Sequence, residues 1–280
     1  MAITAADVKN LRDITGAGMM DCKKALTTAE GDMAKAEKIL KEMGLAAVAK
    51  RQDRATDNGR VAAKIGNNIA ALVELSCETD FVANNEQFKD LTNAIAEKVV
   101  AEKITDINNA ELKAMVDGLI AIIKENMGIK KIVTLPVPAK GYATSYIHSE
   151  GAVGVVVVLD SDNADVFKQE EIKEFAHDCA LHIAAFKPQF LAESNIDKAF
   201  EEEQLSIFKA QVASMGKPEK VLEGIVRGKL NKLYAEICLL KQPFVKDDTM
   251  SVEKKLAELS KKYNANISIN NFSFLISGAN

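Results

Sequence analysis

The feature that most constrains this fold is an order of patterns that occurs twice along the chain. Residues 61–65 and 69–75 have strand character and flank Gly66-Asn67-Asn68, a hairpin signal. Phe88, Leu91, Ile95 and Val99 then recur at helical spacing, from about Asn85 onward. Leu112, Val116, Leu119, Ile120 and Ile123 mark another helix, and residues 129–137 return to strand character. Downstream the same order begins again. Residues 142–148 and 152–159 predict a second hairpin, Asp160-Ser161-Asp162 an acidic turn, and 166–186 a helix. Residues 252–263 are then helical and 267–276 a strand, with Phe272, Phe274 and Ile276 alternating. The pattern predicts an α+β fold whose core is two copies of one unit, antiparallel strands with packed helices. The first copy spans residues 55–140, the second 141–187 and 236–280.

What separates the two parts of the second copy is residues 188–235. Apolar residues run from Phe200 through Leu205 and Phe208 to Leu233, broken at Gly216-Lys217-Pro218. Two helices joined by a Gly-Pro turn predict an antiparallel hairpin, either projecting as an inserted coiled-coil arm or lying in the core. Ahead of the core, residues 1–54 predict a three-helix module. Thr4 can cap the first helix, with Asp7 favouring its start, and Val8, Leu11 and Ile14 form one stripe. Thr15-Gly16-Ala17-Gly18 breaks that helix, the second runs from about Met19 to Ala29, and Met33, Ala36, Ile39, Leu40 and Met43 recur in the third. Residue chemistry alone favours the core for both Met19 and Met20; the alternative places one in the small core and leaves the other exposed for protein contact. Asp57-Asn58-Gly59 is expected to be a flexible linker.

Composition narrows the function. A chain of 280 residues with 48% hydrophobic and 27% charged residues can bury a substantial core. The start of the chain has no basic, apolar signal pattern, and the longest apolar run, 152–159, suits a buried strand and is too short to span a bilayer. A soluble protein that is not exported is expected. Cys22, Cys77, Cys179 and Cys238 are widely spaced without a CxxC pair, which predicts buried reduced thiols in a cytosolic protein. A net charge of −4 argues for a protein partner over a nucleic acid, with a local basic patch conceivable at Lys50, Arg51 and Arg54.

Catalytic signatures are missing. No GxxxxGK[ST] occurs, and Gly16-Ala17-Gly18 follows a helix where a dinucleotide fingerprint follows a strand. His177 and His182, five apart on a helix, do not share a face, so each is expected in core or on surface. His148 ends a strand beside Ser149-Glu150-Gly151, with no orienting partner visible in the sequence.

One segment stands apart. The polar cluster Ser76-Cys77-Glu78-Thr79-Asp80 cuts off the run 69–75, and Phe81-Val82-Ala83-Asn84-Asn85 follow before the next helix. Phe81 on a short loop either folds back under that helix as a staple or projects at the rim of the sheet. Chemistry alone favours the staple.

Thr79-Asp80-Phe81-Val82 resembles a signature of the bacterial elongation factor Ts family, the exchange factors of elongation factor Tu. Leu11-Arg12 and the stretch from Thr15-Gly16-Ala17-Gly18-Met19-Met20 to Ala25-Leu26 resemble its second signature. Similar pieces at 154–159, 182–188, Gly216-Lys217-Pro218 and Gln242-Pro243-Phe244-Val245 follow in the family's order over nearly the whole chain. The resemblance implies a ubiquitin-associated-like module at residues 1–54, a coiled-coil arm at 188–235, and a cytoplasmic, non-catalytic exchange factor that takes no cofactor or metal. It implies that Arg12, Met19, Met20 and Lys23 dock on the GTPase's nucleotide domain. Thr79, Asp80, Phe81 and Val82 would disturb its magnesium and phosphate site, with Phe81 as wedge and Asp80 fixing local geometry. His148, matching the family's Ser-Tyr-x-His strand, would meet the GTPase's distal domain. The C-terminal helical module of some longer relatives is expected to be absent or rudimentary. Two rival readings are an interaction adaptor without exchange activity, which has no need of the Phe81 segment, and a small-molecule enzyme on the duplicated core.

Overall fold

The computed structural model describes residues 3–49 and 51–279, so Lys50 of the anticipated basic patch lies outside the described residues. Its helices and antiparallel sheets make it α+β. Three helices come first: α1 (Ala5–Thr15), α2 (Met19–Thr28) and α3 (Met33–Ala49). Thr4 caps α1 in a capping box: its hydroxyl accepts from the Asp7 N–H, and the Asp7 carboxylate accepts from the Thr4 N–H. Gly16 ends the helix at φ 69°, left-handed backbone that a residue without Cβ adopts freely. Val8, Leu11, Cys22, Leu26 and Ala36 are buried together. Ile14 is not the third member of that stripe. It is 59% exposed and lines a cleft of ≈ 800 Å³ between these helices and α6 (Ala110–Ile123).

The first sheet is ordered β1-β2-β3, with β1 (Asn58–Ile65), β2 (Ile69–Cys77) and β3 (Met127–Pro136) antiparallel. Between β2 and β3 lie α4 (Asp80–Ala83), α5 (Glu86–Glu102) and α6. Asn58 and Gly59, expected in a linker, belong to β1 and pair with Cys77 and Ser76. A Cβ at Gly59 would lie 2.3 Å from the Leu75 carbonyl oxygen, so close backbone approach, and not flexibility, explains this glycine.

The second sheet is ordered β4-β5-β8, from β4 (Tyr142–His148), β5 (Val153–Ser161) and β8 (Ile267–Ile276). Its helices are α7 (Glu170–Phe186) and α10 (Val252–Tyr263). The turn anticipated at 160–162 starts later, because the ladder to β8 continues through Asp160 and Ser161, opposite Ser268 and Ile267. The helix anticipated over 166–186 is two pieces. Asn163 caps a 3₁₀ turn, Ala164–Lys168, that buries Val166 and Phe167; Gln169 is then extended before α7 begins.

Strand alternation explains the apolar run of β5. Val155, Val157 and Leu159 pack with Ile172 and Phe175 of α7, while Val156 and Val158 turn to Val61 and Leu72 of the first sheet. In β2, Val73 and Leu75 likewise pack with Ile95 and Val99 of α5, and Ala70 and Leu72 face the second sheet. The sheets therefore meet face to face with helices outside. Each such valine or leucine contributes about 1.5–3 kcal/mol when fully buried. At Gly154 the approach leaves no room for a side chain: a Cβ would sit 2.4 Å from Val61 Cγ1.

Between α7 and α10 lie α8 (Lys198–Ala213), α9 (Glu219–Ile237) and a ribbon of β6 (Pro243–Phe244) and β7 (Asp247–Ser251) that the sequence did not suggest. The helices run antiparallel, since Tyr234 donates to the Glu201 carboxylate and Lys229 to Gln211. His182 is buried in α7 with Nε2 2.8 Å from Gln242 Oε1, and Gln242 Nε2 donates to the Glu236 carbonyl. His177 is exposed. All four cysteines are free and buried. No described helix is long and apolar enough to cross a membrane.

Candidate partner-binding site

Where a loop was expected after β2, the chain makes one helical turn, α4. Thr79 is extended (φ −125°, ψ 155°) and its hydroxyl accepts from the Val82 N–H at 3.4 Å, an N-cap. Val82 and Ala83 are buried in the core that also holds Phe88. Helical geometry then turns Phe81 away from that core, and it is 85% exposed. The staple reading fails because Phe88, fully buried, takes the inward place. Asp80 is exposed in the first turn, and its backbone carbonyl accepts from Asn84 Nδ2 at 3.0 Å.

A four-residue turn cannot hold itself in place, since helix initiation fixes several residues for one hydrogen bond. Here it is held from both ends. At the start, Thr79 donates its N–H and its hydroxyl to the Glu125 carboxylate, at 3.1 and 2.8 Å. Glu78 accepts from the Asn126 N–H at 2.6 Å and pairs with Arg54 at 3.3 Å. Asn58 Nδ2 donates to the Glu78 carbonyl at 2.8 Å. At the far end the Arg60 guanidinium donates to the Ala83 carbonyl at 2.9 Å and also to the Glu150 carbonyl. Burial lowers the pKa of Arg60, an effect that Glu150 and Glu86 oppose. Below the turn, burial first and the Glu125 charge second push the Cys77 thiol up to about 12, which leaves it protonated and unreactive.

The other anticipated residues lie on neighbouring elements. Arg12 on α1 and Lys23 on α2 are exposed. Met19 and Met20 are 42% and 76% exposed, so neither joins the small core; Cys22, Ala25 and Leu26 fill the inner face of α2. Among the described residues, these four side chains make no hydrogen bond or ion pair, and none has a polar tether to Phe81. His148 ends β4, exposed, with Nδ1 3.0 Å from the Tyr146 hydroxyl. Tyr146 also stands edge-on to His177 at 5.9 Å.

Intermediaries connect these groups. Arg60 bridges Ala83, beside Phe81, to Glu150, two residues after His148. Lys124 pairs with Asp21 of α2 at 2.6 Å, and its neighbour Glu125 holds Thr79. The sequence had pointed to none of Arg60, Glu125 and Asn126, and to Glu78 only as a member of the polar cluster after β2. Glu125 lies 46 residues from Thr79, and no local motif announces the pairing.

The family model for Elongation factor TS matches residues 78–278, beginning at the residue before the Thr79 cap. Elongation factor Ts of Treponema denticola is 46% identical over 269 residues, covering 96% of each chain. That of Treponema pallidum is 45% identical over 94% of each chain. That of Trichlorobacter lovleyi is 37% identical over 99% of this chain and 93% of its own. At 99% of this chain, the last of these matches takes in α1 and α2 as well as the segment matched by the family model.

Proposed function

This chain belongs to the elongation factor Ts family, and from that premise we propose that it is a non-catalytic guanine nucleotide exchange factor for elongation factor Tu in the cytoplasm. It binds the GDP form, disturbs the magnesium and phosphate site, and releases GDP, leaving a nucleotide-free complex that GTP resolves. The observation that carries this reading is Phe81, 85% exposed on a turn anchored at both ends. A large aromatic held outside the core loses little on docking, because its backbone is ordered beforehand. Thr79, Asp80 and Val82 shape the turn, and Phe81 is the wedge. Arg12, Met19, Met20 and Lys23 form a second contact, and His148 a third.

The energetics follow from linkage. A factor that binds the nucleotide-free GTPase more tightly than its GDP form weakens GDP by the same ratio. A shift of about 10⁴-fold needs roughly 5.5 kcal/mol of differential binding. Contacts on several elements can supply that, with Phe81 directing it at the nucleotide. The factor itself binds no nucleotide, nucleic acid, membrane or small-molecule substrate.

The same reading gives residues 1–54 the role of a ubiquitin-associated-like docking module and residues 188–235 that of an inserted arm. The units 55–140 and 141–187 with 236–280 are copies of one ancestor. Each builds a three-stranded sheet in which a hairpin's second strand pairs with a later strand, and each has a register shift in that second pairing.

Release of a fluorescent GDP analogue from elongation factor Tu, followed with and without the purified chain, tests the proposal. Acceleration that saturates with the factor's concentration is expected. Release at the spontaneous rate, despite a stable complex, would leave only an adaptor.

A further inference from the structure

The connection from α6 to β3 contains Lys124-Glu125-Asn126, and each residue reaches a different part of the molecule. Lys124 ends α6 in left-handed backbone, φ 69°, with its ammonium on Asp21 of α2 at 2.6 Å. Asn126, 9% exposed, donates its N–H to the Glu78 carboxylate and its side-chain amide to the carbonyls of Gln52 and Arg54, at 3.3 and 2.7 Å. Between them, Glu125 takes both donors of Thr79. Its neighbours thus fix Glu125 on either side, and it fixes the start of the Phe81 turn.

We propose that Glu125 is a positioning residue for nucleotide exchange: it touches neither partner nor nucleotide, and it sets the Phe81 turn in its docking geometry beforehand. This rests on the exchange reading above and extends it. Hydrogen bonds to an ionised carboxylate are stronger than neutral ones, and two from one residue fix direction as well as distance. Without them the turn keeps its apolar underside, Val82 and Ala83, yet loses the constraint on its first residue. Encounter with the GTPase, made over several elements, is then little affected. The step in which Phe81 acts must order the turn first, so the loss falls on the rate of the bound complex. Arg60 holds the opposite end, and for that reason the effect is graded.

The test titrates the full chain into elongation factor Tu loaded with a fluorescent GDP analogue and reads the maximal release rate and the half-saturating concentration. Failure of the wild-type chain to accelerate release would overturn the exchange reading, and this inference with it. With wild-type acceleration in hand, Glu125→Ala is expected to lower the maximal rate on the order of 10- to 100-fold. The half-saturating concentration should stay within about threefold, since other elements supply most of the encounter. Glu125→Gln keeps one acceptor and should lose about three- to tenfold, a partial rescue. Combining Thr79→Ala with Glu125→Ala should be no worse than about twofold beyond the more damaging single change, since both serve one contact. A wild-type maximal rate in folded Glu125→Ala overturns the inference. So does a loss of both kinetic parameters in parallel with melting temperature, the mark of a structural role. If Glu125→Ala does not fold, Glu125→Gln decides, and a wild-type maximal rate there overturns the proposal.

Discussion

Truncating Phe81 to alanine separates a side chain kept for folding from one kept for docking. A fully buried phenylalanine costs about 3–5 kcal/mol when cut to alanine. Phe81 is 85% exposed, and scaling by the remaining fraction leaves roughly 0.5–0.8 kcal/mol of folding stability. On the binding side, a phenylalanine side chain offers about 200 Å², of which some 170 Å² remains to be covered, worth up to about 4 kcal/mol. Contacts at the centre of an interface realise roughly 2–4 kcal/mol on truncation, or about 30- to 700-fold in affinity or rate. Calorimetry should therefore find the melting transition of Phe81→Ala within a few degrees of wild type. Stimulated GDP release from elongation factor Tu should fall by at least tenfold. Stability lost on the scale of a core truncation would show that Phe81 packs at home. A stable variant with wild-type release would refute the wedge and leave family membership standing.

Other substitutions probe the frame around that turn. Gly154→Ala puts a methyl group 2.4 Å from Val61 Cγ1 and should cost about 1–3 kcal/mol in denaturant unfolding. Gly118→Ala in α6, where nothing lies within 4 Å, should instead stabilise by roughly 0.4–1 kcal/mol. Burial lowers the pKa of His182, and among the described residues its buried Nδ1 has no partner. The unfolded chain therefore binds the extra proton first, and stability falls as pH drops below about 6.5; melting between pH 7 and 5 should show this slope, and His182→Gln should flatten it. Deleting residues 1–54 removes Val48 from the core of the first sheet and the carbonyls that hold Asn126. The remainder should melt cooperatively at lower temperature and bind elongation factor Tu more weakly, whereas an unfolded remainder would refute an independent core.

Periodic patterns made much of the fold legible. The strand 267–276 and the helix 252–263 occur where the spacing places them, although the strand's alternation changes phase at Asn270, where its register against β5 shifts. Errors gathered where a backbone partner, and not a side-chain pattern, decides. Asn58 and Gly59 have turn-forming side chains, yet β2 offers them a ladder, and β8 does the same for Asp160 and Ser161. Ile14 has the spacing of a core residue, but it lies beside α6, an element nearly a hundred residues away in the chain. The two methionines that open α2 could not be told apart from core because Cys22, Ala25 and Leu26 supply the inner face without them.

The candidate site divides along the same line. Thr79, Asp80, Phe81 and Val82 drew notice as a local interruption of an apolar run, and the switch from strand to helix at Thr79 explains why Phe81 faces out while Val82 faces in. Alternation of period two would have placed Thr79, Phe81 and Ala83 on one face; a single helical turn places Val82 and Ala83 inside together. The residues that hold the turn left no such trace. Arg60, Glu78, Glu125 and Asn126 are ordinary charged or amide residues on three separate stretches of chain, joined by hydrogen bonds that only the folded sheet creates. A contact residue can be recognised by its incongruity, a large apolar group among polar ones. A positioning residue is congruous with its surroundings and becomes visible only through the geometry it enforces. If exchange depends on an ordered Phe81, substitutions at Glu125 should slow release at full occupancy, whereas those at Met19 or Met20 should raise the concentration needed to reach it.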